Sequence, residues 1–170
     1  MKKLLVLPVL LATMFAVSCK KDDKNGGNKG NTTQSKYEIL TSDKWRVTEA
    51  SLDPDASEEN INFLDGIDDC QKDNFYKFNT SGSITLDEGA SKCNAGDSQT
   101  RTDGKWTLNA DTTKIVLLET SITQGFGDLS ADIITFNETT LRLKKDTSIT
   151  LVPGNPPLTG KFYATFTKVK

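Results

Sequence analysis

The chain has 170 residues, of which 21 are basic and 23 acidic, and it contains no histidine. The lack of histidine excludes the commonest general base, the commonest zinc ligand and every nucleophile that a histidine activates, although enzymes built on carboxylates alone stay open. With a formal net charge of -2, the chain also lacks the positive charge on which nucleic-acid binding depends, so we expect no nucleic-acid partner.

The N-terminus has the composition of a lipoprotein signal peptide. Lys2 and Lys3 precede an apolar run at 4–17 that is too short to span a bilayer. The segment 16–19, Ala-Val-Ser-Cys, resembles a bacterial lipobox, which implies cleavage before Cys19 and lipidation of its sulfur. We therefore predict a signal peptide at 1–18 and a membrane anchor at Cys19.

A polar segment follows the predicted anchor. The run 20–23, Lys-Lys-Asp-Asp, is similar to the export tag of Bacteroidota surface lipoproteins, and the alternative is an ordinary solvated charge run. Residues 24–36 contain no large apolar side chain and cannot offset the entropy of ordering. We predict that 19–36 is a lipidated cysteine with a flexible tether, on an outer-membrane protein that faces the cell surface or, alternatively, the periplasm.

The remaining residues, 37–170, are predicted to form one all-β domain. A helical turn at 37–40 comes first, and another short helix could start at Ser57 in the acidic loop 52–69. Short stretches of alternating apolar and polar residues follow, divided by turn residues, and this pattern predicts eight strands without a long helix between them. These strands are at 44–50, 75–78, 84–86, 104–108, 114–119, 129–136, 140–144 and 161–168. The order favours an antiparallel up-and-down meander that closes into a barrel.

The second and third strands form the clearest local unit. Tyr76 and Phe78 share one face of the hairpin with Ile84 and Leu86, and Gly82 can adopt a positive φ in the turn.

Taken together, the segments 43–45, 68–74, 78–82 and 104–108, with Cys93 between the last two, resemble the lipocalin-like lipoproteins of Bacteroidota. These belong to the calycin group of eight-stranded barrels. The resemblance implies a small barrel, often with an interior for an apolar ligand and usually without known chemistry.

Two cysteines are left after lipidation of Cys19, and we predict a disulfide between Cys70 and Cys93. Metal or redox roles are poorer interpretations because no histidine accompanies either cysteine.

The predicted barrel interior supplies the candidate ligand-binding residues. They could contact a small hydrophobic molecule, or they could simply fill the barrel, because eight-stranded barrels do either. The candidates are Trp45, Tyr76, Phe78, Ile84, Leu86, Trp106, Leu108, Leu141 and Phe166.

No catalytic or metal site is predicted. Asp65, Asp68 and Asp69 do not have the spacing of a calcium loop. The carboxylates Glu49, Asp87, Glu88 and Glu119 occupy strand positions that are expected mostly to face outward.

The preferred hypothesis is therefore a monomeric binding protein without enzymatic activity or cofactor, anchored to the membrane through Cys19 and holding a small hydrophobic ligand. The alternative is an accessory lipoprotein that binds a protein partner and has a filled core.

Overall fold

The computed structural model describes residues 34–57, 59–123, 127–150 and 154–170. The predicted signal peptide, Cys19 and the tether up to residue 33 lie outside these residues. Within the described ranges, no helix is both long enough and apolar enough to cross a membrane.

The described part of the chain contains nine strands and two short α-helices. The helices are α1 (Lys36–Ser42) and α2 (Asp69–Lys72). The strands are β1 (Lys44–Pro54), β2 (Ile61–Asn62), β3 (Phe75–Phe78), β4 (Ser83–Asp87), β5 (Thr100–Leu108), β6 (Lys114–Leu118), β7 (Leu129–Phe136), β8 (Thr140–Ile149) and β9 (Leu158–Val169). Two single 3-10 turns, at Phe63–Gly66 and Ser121–Thr123, lie in the connections.

Strands β3 and β4 form the predicted hairpin. Tyr76 pairs with Leu86 and Phe78 pairs with Ile84, so all four side chains lie on the same face. Gly82 has a φ of 83° in the connecting turn, where an L-residue would be strained. The alternation of polar and apolar residues therefore predicted correctly which side chains of this hairpin share a face.

The sheet closes into an antiparallel barrel. Eight strands follow one another in the order β1, β3, β4, β5, β6, β7, β8 and β9, and β9 pairs with β1 from Lys44↔Val169 to Pro54↔Gly160. A Cβ atom at Gly160 would lie 2.3 Å from the carbonyl oxygen of Asp53, so glycine is required where these two strands meet. The predicted eight-stranded barrel with a short N-terminal helix is confirmed.

Several elements are longer than the sequence pattern predicted. Strand β1 continues to Pro54, β5 begins at Thr100, β8 continues to Ile149, and α1 runs from Lys36 to Ser42. The added strand residues are mostly polar, and they pair through backbone hydrogen bonds that a hydrophobic alternation does not reveal. The predicted helix from Ser57 was wrong: Ser57 and Glu59 are not helical, and Ile61–Asn62 pairs with β1 as the short strand β2.

Helix α1 covers one end of the barrel, which we call the helix end. The Ser35 hydroxyl accepts a hydrogen bond from the Glu38 backbone N–H, and the Glu38 carboxylate accepts one from the Ser35 N–H, which forms a capping box. This cap fixes the start of the helix so that Ile39 and Leu40 are buried against the barrel interior. The opposite end carries the described residues of four connections, and we call it the loop end; these residues are 55–57, 59–74, 88–99, 119–123, 127–128 and 154–157.

Candidate functional site

The nine candidate residues lie together in the core of the barrel. Eight of them are buried, and Leu108 is half-buried against the same core. Six of the nine are completely buried, with an exposed fraction of 0%. These six are Trp45, Phe78, Ile84, Leu86, Leu141 and Phe166. Because a void beside a side chain would leave accessible surface on it, the protein's own atoms fill the barrel around these residues.

Aromatic contacts hold the filled part together. The ring of Phe78 lies 5.7 Å from that of Trp106 and 6.1 Å from that of Phe166, both in edge-on geometry. The indole N–H of Trp45 donates to the Leu40 carbonyl at 2.9 Å, which connects the interior to α1. The middle of the barrel is therefore packed by its own side chains, and a ligand has to be sought at the rim of the loop end, where side chains are partly exposed.

Half-buried apolar side chains lie at the loop end and pack against the core. The rings of Phe63 and Phe162 are 6.1 Å apart there, next to the short strand β2. Four aliphatic side chains at this end, Ile61, Ile122, Ile149 and Leu158, are half-buried and also pack against the core. They come from β2, from the 3-10 turn at Ser121–Thr123, from the end of β8 and from the start of β9, so the loop end combines apolar surface with partial access to solvent.

A polar group continues the inner face of β3 and β5 at the loop end. Asp103 accepts hydrogen bonds from the hydroxyl of Thr120 at 2.6 Å and from the N–H and hydroxyl of Ser121 at 3.0 and 2.9 Å. The hydroxyl of Tyr76 lies within hydrogen-bonding reach of the Ser121 and Asn74 side chains. Burial is the main reason why the pKa of this hydroxyl is raised above its usual value, and the negative charge of Asp103 adds to the effect.

Glu88 lies in the same region and points inward. Its side chain is only 5% exposed and accepts a hydrogen bond at Oε1 from the guanidinium of Arg101, which is 46% exposed. The sequence had placed this carboxylate among groups expected mostly to face outward, and that expectation was wrong for Glu88. The signal was present, since Glu88 follows Ile84 and Leu86 at the next inward position of an alternating strand.

The predicted disulfide between Cys70 and Cys93 is confirmed. It joins α2 to the connection between β4 and β5, with the two Cα atoms 5.2 Å apart. Nearby, the Asp73 carboxylate accepts hydrogen bonds from the backbone N–H groups of Ala90 and Ser91 at 2.9 and 3.0 Å. The bond therefore fixes two connections at the rim of the loop end.

The acidic residues of the loop end do not gather into a metal site. Asp69 pairs with Lys72 on α2 at 2.8 Å, and its carboxylate is almost fully exposed. Among the described residues, no group of three or more Cys, Asp or Glu side chains has the arrangement needed to hold a metal ion.

A family model described as a lipocalin-like domain matches residues 41–143, from the end of α1 into β8. The chain belongs to the lipocalin-like domain family. No curated protein matches the chain. The family assignment and the closed barrel agree on a fold that is suited to small ligands, and proteins of this family are generally binding proteins rather than enzymes.

Within this lipocalin-like domain, the sequence analysis identified the buried apolar residues of the interior but missed the polar residues at the loop end. Asn74, Asp103 and Glu88 are polar residues at inward positions, where a pattern based on hydrophobicity assigns no role. The structure thus shows a filled interior and, at its loop end, a rim where apolar and polar groups lie side by side.

Proposed function

We propose that this protein binds a small hydrophobic ligand at the loop end of its lipocalin-like barrel. The observation that carries the proposal is the composition of the loop end, where half-buried apolar side chains lie beside inward polar groups. The middle of the barrel is filled by buried side chains, and α1 covers the other end. Small-molecule sites combine such apolar walls with a few polar groups that fix orientation.

The proposal includes a place in the cell. Lipidation at Cys19 would hold the domain at the outer membrane, and the charged run at 20–23 supports exposure at the cell surface over the periplasmic face. The polar segment 24–34, which ends before the cap of α1 at Ser35, would then act as a spacer between the membrane and a monomeric domain. A ligand of low solubility in water suits such a position, because it can be taken up beside a membrane.

The second candidate is an accessory lipoprotein that binds a protein partner and carries no small molecule. It is favoured by the six interior side chains that are wholly buried, since a filled barrel needs no ligand for its stability. The two candidates differ in whether the purified protein retains a small molecule.

The test incubates the mature chain with a cell extract, re-isolates it, and identifies extracted small molecules by mass spectrometry. Ile122→Asn places an amide among the half-buried apolar residues of the loop end. Ile134→Asn is the matched control, because Ile134 is 44% exposed on β7. We expect one compound class to be retained by the unmodified protein and by Ile134→Asn, and to be reduced by Ile122→Asn.

Retention of nothing by the unmodified protein would favour the protein-binding alternative. Equal retention by both variants would show that the compound binds away from the loop end. Thermal unfolding of each variant establishes that a loss of retention does not come from a loss of fold.

A further inference from the structure

Three buried oxygen atoms at the loop end accept no hydrogen bond from any described residue: Oδ1 of Asp73, Oδ1 of Asn74 and Oε2 of Glu88. The last two belong to buried residues at inward positions, whose exposed fractions are 8% and 4%. Buried polar atoms in folded proteins are nearly always paired, because an unpaired one loses its hydration without gaining a hydrogen bond in return. A pair of such atoms in one place therefore calls for a binding partner.

The register of the hairpin brings these two residues together. Phe75 pairs with Asp87 at the end of the β3–β4 ladder, and the next position on each strand is Asn74 and Glu88. Both continue the inward row of Tyr76 and Leu86, and residues directly opposite each other have Cβ atoms about 4.5–5.5 Å apart. The backbone N–H of Glu88 donates to the Gln99 carbonyl at 3.0 Å, which keeps this part of the chain aligned with β5.

The Tyr76 hydroxyl lies within reach of the Asn74 side chain, but the donors that the hydrogen bonds place next to Glu88 and Asp103 are already engaged. The hydroxyl of Thr120 and the N–H and hydroxyl of Ser121 all donate to Asp103. Arg101 donates to Oε1 of Glu88, the carboxylate oxygen that is not left unpaired. The two remaining oxygens are acceptors, so a group that satisfies both of them has to carry hydrogen-bond donors.

The local charge selects among donors. Glu88 and Asp103 carry two negative charges and Arg101 carries one positive charge, which is partly screened because its side chain is 46% exposed. A positive head group is therefore attracted to Glu88, whereas a carboxylate would meet like charge and unpaired acceptors. A primary ammonium fits best, since it has three donors and a full positive charge.

We propose that Asn74 and Glu88 form a subsite for the primary amine of an amphipathic ligand whose apolar part lies against the half-buried residues of the loop end. The subsite rests on the ligand binding proposed above and specifies its chemical class. It sets this protein apart from a carrier of fatty acids, whose head group has the opposite charge.

The test compares decylamine, decanol and decanoate, which share one tail and differ in the head group, by calorimetric titration of the mature chain at neutral pH. We expect decylamine to bind at least about tenfold more tightly than decanoate, as a charge-assisted hydrogen bond would give. Glu88→Gln should remove this preference and change the affinity for decanol far less. Asp87→Asn is the matched control, because it removes the same charge from the adjacent residue, whose carboxylate bonds Lys44 and Gln99.

The control should keep the preference for the amine. Equal affinities of the three probes for the unmodified chain would overturn the subsite while leaving ligand binding intact, and this comparison needs no variant. A preference for the amine that survives Glu88→Gln would overturn it as well. If none of the three probes binds, the proposed ligand binding fails and the subsite fails with it.

Discussion

Breaking the bond between Cys70 and Cys93 should lower the free energy of unfolding by about 3.4 kcal/mol in the chain-entropy model. The magnitude follows from the sequence separation of 23 residues, which sets the size of the loop that the bond closes in the unfolded chain. The variant Cys70→Ser/Cys93→Ser keeps the hydrogen bonds of Asp73 to Ala90 and Ser91 at the same rim. The difference between the two proteins therefore measures the covalent link itself.

Urea unfolding followed by tryptophan fluorescence is a suitable assay, because both tryptophans are buried in the core. With a urea slope of about 1–3 kcal/mol per molar, the midpoint should fall by roughly 1–3 M. The urea midpoint of the unmodified protein in reductant should match that of the double variant, and reductant should not change the midpoint of the variant. A loss of less than about 1 kcal/mol would refute the entropic reasoning.

Three further predictions concern the core, the loss of stability at acid pH and the lipid anchor. Phe78→Ala should lower the free energy of unfolding by about 3–5 kcal/mol, because Phe78 is buried in the filled interior. Ile134→Ala, at an exposed position, should change it by no more than about 0.5 kcal/mol. Similar losses in the two variants would contradict the filled interior. The hydrogen bond from Lys44 lowers the pKa of Asp87 in the folded protein. The ionised Asp87 carboxylate therefore stabilises the folded state above the pKa of about 4 that it has in the unfolded chain, and this stabilisation is lost as the pH falls through the lower pKa of the folded state. In Asp87→Asn the melting temperature should therefore fall less steeply as the pH is lowered below about 4. The same pH dependence in the variant and the unmodified protein would contradict this. Cys19→Ala should leave the protein soluble and without label when cells are fed a labelled fatty acid, whereas label that stays with the variant would exclude the lipobox.

The fold was predictable where the side chains alternate strongly. Tyr76, Phe78, Ile84 and Leu86 gave the hairpin and the face that these side chains share, because both faces of the strands differ in hydrophobicity. The polar extension of β5 from Thr100 and the two-residue strand at Ile61–Asn62 left no such signal, since backbone pairing rather than burial defines them. Barrel closure depends on pairing between the first and last strands, which is a property of the whole chain.

The site was less predictable than the fold. The sequence identified the inward aromatic and aliphatic residues, but it could not separate a filled interior from a hollow one, because both use the same residue types. Asn74 and Glu88 were missed as a pair because they are far apart in the chain and polar at inward positions. Only the register across β3 and β4 places them opposite each other.

The most direct measurement of ligand binding at the loop end is a set of amide chemical-shift changes in the mature chain during titration with decylamine. The largest changes should fall on residues of the loop end, such as Asn74, Glu88 and Ile122, and those of α1 should stay small. Saturable changes confined to the loop end would support the proposed function. Changes centred on the outer face around Ile134, or no saturable change, would contradict it.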